Sequence, residues 1–320
     1  MSLPFDLSVS PTMMTLFGGV FVLLLVASTV GFVLSRRVTS EGGIATVANL
    51  NARIKAWWLM IAIFAVAFVF GKTVTIVLFA LTSFYCLREF LSITPTRSED
   101  HTATVFAFYL FIPLQYYLVA TDLTMLTILI PVWAFLLLPV LAVLKGETAD
   151  FLQRTARIQW ALMLTVFCIS HAPALLMLDI PGYEEKFLLL FFLITVVQLS
   201  DVLQYVFGKL FGKHKVAPRV SPAKTWEGLI GGGLTASAIG AGLWWITPWN
   251  PVEAFAFSLI IVIAGFVGGL VLSAVKRSLG AKDWGTMIEG HGGALDRMDS
   301  VSFAAPVFFH AARFYSIQFM

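Results

Sequence analysis

Residues 273–299 read SAVKRSLGAKDWGTMIEGHGGALDRMD, and they break the rule that the rest of the chain obeys. Nine ionisable side chains fall within these 27 residues: Lys276, Arg277, Lys282, Asp283, Glu289, His291, Asp296, Arg297 and Asp299. Outward in both directions the sequence turns apolar. Of 320 residues, 59% are hydrophobic and 12% charged, against about 25% charged in an ordinary soluble domain. The apolar residues come in runs of roughly 17–25, the length that crosses a bilayer as a helix. The chain therefore reads as all-α, a polytopic integral membrane protein with about nine to ten transmembrane helices. No soluble domain fits between the runs, so any site must be built by the membrane helices and their loops. Charge at the edge of a bilayer is expensive, which makes the dense cluster a candidate functional site.

The runs lie near 13–34, 57–71, 73–92, 103–121, 123–144, 158–178, 187–207, 228–248, 252–275 and 294–316. The second and third are short and meet at Gly71, Lys72 and Thr73, as in a helical hairpin that stops short of a full crossing. The last carries Asp296, Arg297 and Asp299 at its start, so its first turn must face protein or water. With the N-terminus outside and the runs alternating, 17 of the 21 basic residues fall on the cytoplasmic side, as the positive-inside rule requires. Loops 208–227 and 276–293 then face the cytoplasm, where nucleotides are available. The chain divides into 1–190, N-terminal membrane helices, and 191–320, a C-terminal catalytic membrane region carrying those two loops. The first eleven residues hold Asp6 and no Lys or Arg, unlike the basic start of a cleaved signal peptide.

Several residues read as scaffold. Cys86 and Cys168 lie inside apolar runs and suit packing thiols better than a disulfide. Gly228, Gly231, Gly232 and Gly233 give one helix a small-residue face for close packing. Trp57, Trp58, Trp244, Trp245 and Trp249 sit near run ends, where interfacial anchors belong. Arg53 and Lys55, beside Trp57 and Trp58, suit a helix lying on the membrane surface.

Two constellations carry chemistry. In 200–227, Asp201 lies near the cytoplasmic end of an apolar run and needs a cation partner or a metal. The loop that follows combines Gly208 and Gly212 with Lys209, Lys213, His214, Lys215, Arg219 and Lys224. Mobile backbone with dense positive charge suits phosphate, and Ser221, Lys224, Thr225 and Glu227 form a turn that leads into a helix start. A positive-inside loop touching anionic lipid would also explain Lys213, Lys215 and Arg219. In the opening stretch, Asp296 and Asp299 are three residues apart and share a helix face. Paired carboxylates suit Mg²⁺ held together with substrate phosphates. A helix start that merely complements its dipole accounts for one acid, not for three acids and Arg297.

These residues resemble the signature of the phosphatidate cytidylyltransferases, or CDP-diacylglycerol synthases. The pattern is carried by Ser273, Lys276, Arg277, Lys282, Asp283, His291, Gly292, Gly293, Asp296, Arg297 and Asp299. A second block is similar at Asp201, Tyr205, Gly208, Gly212, Lys213, Pro218, Ser221, Pro222, Lys224, Thr225, Trp226, Glu227 and Gly228. The likeness covers roughly 195–315. Three positions depart from it: Gly269 stands where the family has Asp, Gln204 where it has Ala, and Glu289 where it has Pro. The family's Asp at the first position helps to hold metal, so this chain resembles a divergent branch, and Gln204 is a candidate replacement.

The resemblance implies transfer of the cytidylyl group of CTP to phosphatidic acid, giving CDP-diacylglycerol and pyrophosphate in phospholipid biosynthesis. It implies Mg²⁺, with a second metal or a monovalent ion left open, and a homodimer in a bacterial-type inner membrane with its active site at the cytoplasmic side. Membrane lipids are the other expected partners, and nucleic acid is not expected. On this reading Asp296, with Asp201, Asp283 or Asp299, holds the metal. Lys276, Arg277, Lys282 and Lys224 clamp phosphates, while Arg297 contacts the lipid phosphate or orients the acids. His291 orients phosphate or acts as a donor, and Ser221 and Ser273 offer hydroxyls. Lys213, Arg219 and Thr225 complete the substrate-binding set. The alternatives are a CTP-dependent kinase of a polyprenol or similar lipid alcohol, and a non-catalytic lipid-binding or transport relative.

Overall fold

A computed structural model of the chain describes residues 10–285 and 292–319. Ten helical segments follow one another: α1 (Pro11–Arg37), α2 (Glu41–Val69), α3 (Lys72–Ser92), α4 (Ser98–Thr121), α5 (Leu123–Val143), α6 (Phe151–Met177), α7 (Lys186–Phe211), α8 (Gly228–Gly242), α9 (Pro251–Ser278) and α10 (Leu295–Phe319). Eight of them, α1 to α7 and α9, are long and apolar enough to cross a membrane. The all-α, integral-membrane reading therefore holds.

The ends of these helices are written in the sequence. Ser10 accepts the Met13 N–H at the start of α1, with Pro11 in the first turn, and Arg36 and Arg37 close the last turn. Asn250 and Glu253 form a reciprocal cap on α9 behind Pro251, and Lys276 and Arg277 stand in its last turn. Side-chain oxygens satisfy the free N–H groups at one end, and cations answer the carbonyls at the other.

Four expectations need correction. The second run is one helix of 29 residues from Glu41, about 43 Å long at about 1.5 Å per residue. No Gly or Pro interrupts it after Gly43, so Lys55 stands within it and no separate surface helix forms. Both arms of the α2–α3 hairpin are thus long enough to cross. The eighth run is shorter than expected: α8 ends at Gly242, giving about 22 Å against a hydrocarbon core of about 30 Å. Trp249 is buried, not interfacial; it stacks on Phe257 at 3.9 Å and meets Phe192 and Phe308. Finally, loop 208–227 contains a hairpin. Strands β1 (Lys215–Ala217) and β2 (Ser221–Thr225) pair antiparallel, Lys215 opposite Thr225 and Ala217 opposite Ser221.

Helix α10 is the hub, packed against α3, α6, α7 and α9. Its buried side chains Val301, Ala304, Ala305, Phe308 and Phe309 form the centre of the bundle. Helix α8 lies against α7 and α9. A Cβ at Gly232 would fall 2.4 Å from the backbone nitrogen of Gln204, and one at Gly228 would fall 2.7 Å from its carbonyl oxygen. Only glycines permit that approach, which in a bilayer supplies the van der Waals contact that holds helices together. Cys86 is buried and Cys168 half-buried, both free. Helix α1 is mostly exposed apolar surface, with Phe21, Leu23, Val26 and Phe32 outward. Among its inner contacts are Phe17 on Phe68 and Ser28, which accepts the Trp58 indole N–H at 3.0 Å.

Candidate active site

The C-terminal parts of α7 and α9, the hairpin, and the first two turns of α10 meet at one end of the bundle. Asp201 comes from α7 and Ser300 from α10; the Ser300 hydroxyl donates to the Asp201 carboxylate at 3.1 Å. Asp299 acts electrostatically on Asp201, and Lys224 and Arg297 act on both. Two partly buried carboxylates side by side repel strongly in a low-dielectric setting, so the arrangement calls for cations. Lys224 reaches in from β2. Its ammonium donates to the Phe266 carbonyl at 3.0 Å and lies 4.7 Å from the Phe266 ring. Burial draws that ammonium below the usual lysine range, and Asp201 and Asp299 pull the other way. Arg297 contributes a buried Nε with no hydrogen-bond partner among the described residues.

The departure at Gly269 now has a geometry. A Cβ built there would lie 2.5 Å from Lys224 Nζ and 3.6 Å from the Ser300 hydroxyl. Lys224 fills the space that a side chain at 269 would take. Gln204, the candidate replacement, turns its amide to the Ser200 hydroxyl.

Asp296 is engaged on both oxygens. Oδ1 pairs with Lys276 Nζ at 2.6 Å, and Oδ2 accepts the N–H groups of Trp284 and Gly293, each at 2.9 Å. One carboxylate thus ties the end of α9, the turn after it and the start of α10. The turn into α10 uses Gly292 at φ +79°, a left-handed backbone that glycine adopts without strain. A second carboxylate, Glu89 of α3, accepts the N–H of Ala294 and of Leu295, both at 2.8 Å. It answers the free donors of a helix start from a different helix. Trp284 is fully buried, stacks on Phe90 at 4.9 Å, and lies 6.0 Å from Lys276 Nζ.

The remaining candidates fall in three places. At the rim, Arg277 donates to the carbonyls of Val220 in the hairpin turn and Ala281 after α9, so it bridges the two charged loops. Lys213, Arg219, Lys282 and Asp283 are exposed and Ser221 half-buried in the same loops. In the scaffold, Thr225 is buried among glycines and its hydroxyl accepts the Gly228 N–H at 3.1 Å; Ser273 donates to the Gly269 carbonyl at 2.6 Å. Glu227 fastens the hairpin: its own backbone amide, the His214 ring, and the N–H groups of His214 and Lys213 hold its carboxyl down to about 2. His291 and Glu289 lie outside the described residues.

Sequence reasoning missed Glu89 and Trp284. Glu89 left a signal, because an acid embedded in an apolar helix needs a stated partner. Ser300 was missed as well, for a hydroxyl beside an acid carries no distinctive pattern.

A model of the cytidylyltransferase family matches residues 51–315, and the chain belongs to this family of nucleotidyltransferases. The chain is 39% identical over 299 residues to a protein of Escherichia coli (strain K12) called uncharacterized protein YnbB, covering 92% of this chain and 96% of that one. It is 47% identical over 115 residues to the phosphatidate cytidylyltransferase of Mycobacterium leprae (strain TN), covering 35% and 36%. A match to the phosphatidate cytidylyltransferase of Rickettsia typhi (strain ATCC VR-144 / Wilmington) is 35% identical over 156 residues, covering 46% and 68%. Likeness to the relatives named for an activity is thus partial, whereas YnbB is matched nearly end to end.

Proposed function

We propose that the chain transfers the cytidylyl group of CTP to phosphatidic acid, releasing pyrophosphate, at the cytoplasmic side of a bacterial-type inner membrane. The observation that carries this reading is the group Asp201, Asp299, Lys224 and Arg297, linked electrostatically, with a buried Arg297 Nε that has no partner among the described residues. Family membership and the partial matches to phosphatidate cytidylyltransferases support it.

Magnesium fits the donor set. Among the described residues no three His, Cys, Asp or Glu side chains gather closely enough to cage a metal. Mg²⁺ ordinarily takes one or two carboxylates and completes its shell with water and substrate phosphates, and Asp201 and Asp299 supply those two. When bound, the ion would offset charge on the triphosphate. Asp296, held by three donors, serves as the clamp that sets the α9 and α10 ends.

The protein's own groups do the rest. Arg297 Nε and Lys224 meet phosphate oxygens from inside, and Lys213, Arg219, Arg277 and Lys282 gather the triphosphate at the rim. The lipid phosphate is already ionised near neutral pH, so no strong base is required. Its oxygen attacks the α-phosphorus as pyrophosphate departs on the far side, and the positioned cations reduce the repulsion between two anions.

Purified protein in detergent, given CTP labelled at the α-phosphate, Mg²⁺ and phosphatidic acid, should form a labelled lipid and release unlabelled pyrophosphate. Release of CDP with phosphorylation of a lipid alcohol would instead establish the kinase reading. No turnover with either acceptor would leave a binding protein.

A further inference from the structure

Between α3, α6 and α9 lies an open groove of about 320 Å³, at the lower end of the range of about 300–1,000 Å³ typical of ligand sites. Its lining includes Phe90, Ala156, Arg157, Trp160, Val275 and Ser278. These side chains come from the end of α3, the start of α6 and the last turns of α9. The walls are mainly apolar, with one cation, Arg157.

Three observations say what the groove suits. First, Arg157 carries uncompensated charge. Its neighbours Arg97 and Arg154 are paired with Asp150 and Asp100. Arg157 donates only to the Pro95 carbonyl, at 3.2 Å, and joins none of the ion pairs among the described residues. A guanidinium has five N–H donors, and a phosphate would occupy the remainder. Secondly, Trp160 is half exposed at the same level, the position such rings take at a membrane interface. Thirdly, the groove adjoins the candidate active site. Val275 and Ser278 flank Lys276 and Arg277 on α9, and Phe90 stacks on Trp284, whose N–H is bound by Asp296.

We infer that this groove seats an acyl chain of an anionic glycerolipid, whose headgroup phosphate meets Arg157 at the mouth. The inference rests on the proposed lipid acceptor and deepens it: the groove is where that acceptor waits beside the site. The N-terminal helices then serve specificity as well as anchorage, because two of the three walls are theirs.

The test uses the full chain in nanodiscs containing phosphatidic acid with a diazirine on its acyl chain. After illumination, crosslinked peptides should concentrate on segments 156–160 and 275–279. Ala156→Phe, which fills the groove, should reduce those crosslinks severalfold. Ser278→Phe, from an exposed position on the opposite wall, gives a second filling variant should the first fail to fold. Arg157→Gln should reduce crosslinking of the phosphate lipid and leave that of an uncharged diacylglycerol probe unchanged. Crosslinks spread evenly over lipid-facing helices, or unaffected by both filling variants, would overturn the inference. Transfer from labelled CTP is scored separately. Groove crosslinks without labelled product would refute the cytidylyl-transfer reading alone, and product with crosslinks elsewhere would refute the groove alone.

Discussion

Two groups of partly or fully buried charges lie in the bundle, and they are built differently. Around Arg154 the charges balance. Arg154 and Asp100 are 2% and 3% exposed and meet at 3.0 Å. The other Asp100 oxygen accepts the Arg97 N–H, and Arg154 also donates to the Ala149 carbonyl. Around Asp201 two acids and two cations are equal in number, but none of the four joins an ion pair among the described residues. Lys224 gives its hydrogen bond to a backbone carbonyl, and Arg297 Nε, like Arg154 Nη2 in the first group, has no partner among the described residues. Balanced buried pairs fasten helices; an unresolved set of charges marks where a charged ligand completes the structure.

The largest expected effect breaks the balanced side. Arg154→Ala strands the Asp100 carboxylate in the interior and should cost about 3–5 kcal/mol of stability. A much lower melting temperature in detergent would show it, while transfer per folded molecule stays near wild type. The next breaks the other side in the opposite sense. Asp299→Asn removes a repulsive neighbour, so the protein should melt no lower than wild type. Its turnover should fall by roughly 10²–10³, the loss typical of one electrostatic contact to a transition state. An Asp299→Asn protein that melts as Arg154→Ala does, or keeps its Mg²⁺-dependent turnover, would erase the distinction.

A smaller change sharpens the link between the two groups. Glu89→Gln keeps the shape of the side chain but weakens the acceptor at the start of α10. A loss of about 1–2 kcal/mol is expected, with a severalfold fall in kcat because Asp296, Arg297 and Asp299 are carried on that first turn. Wild-type kinetics in the folded variant would show that α10 keeps its position without the cap from α3.

Much of this was legible in the chain. Run length and apolarity set the helices, because a bilayer leaves the backbone few other solutions. The spacing of Asp296 and Asp299 placed two acids on one helix. What the sequence hid was long-range. Asp296 and Asp299 look alike as letters. Yet one is a clamp bound by Lys276, Trp284 and Gly293, and the other acts electrostatically on Asp201. That difference depends on where α9 and α7 arrive. Glu89 was hidden for the same reason, since its partners are some 205 residues further on. Helix α2 runs on where Arg53 and Lys55 suggest a surface segment, because a long lysine stem lets an ammonium reach the interface from within a helix.

The smallest expected effect concerns Gly269, where this chain leaves the family pattern. Gly269→Ala places a methyl 2.5 Å from Lys224 Nζ. The end of a lysine side chain is flexible, so the fold yields by moving the ammonium off the Phe266 carbonyl, at a cost of about 1 kcal/mol. If Lys224 must hold that position for catalysis, turnover falls severalfold although no charge has changed. Gly269→Asp makes the same steric demand but adds a carboxylate beside Lys224, Asp201 and Asp299. Three acids around one cation bind Mg²⁺ more tightly than two, so half-maximal activity should be reached at a lower Mg²⁺ concentration. The two variants together separate space from charge. Equal losses in both, with unchanged Mg²⁺ dependence, would mean that Gly269 matters only as room for Lys224. A gain in Mg²⁺ response confined to Gly269→Asp would mean that Lys224 now covers charge which a third carboxylate can redirect to the metal.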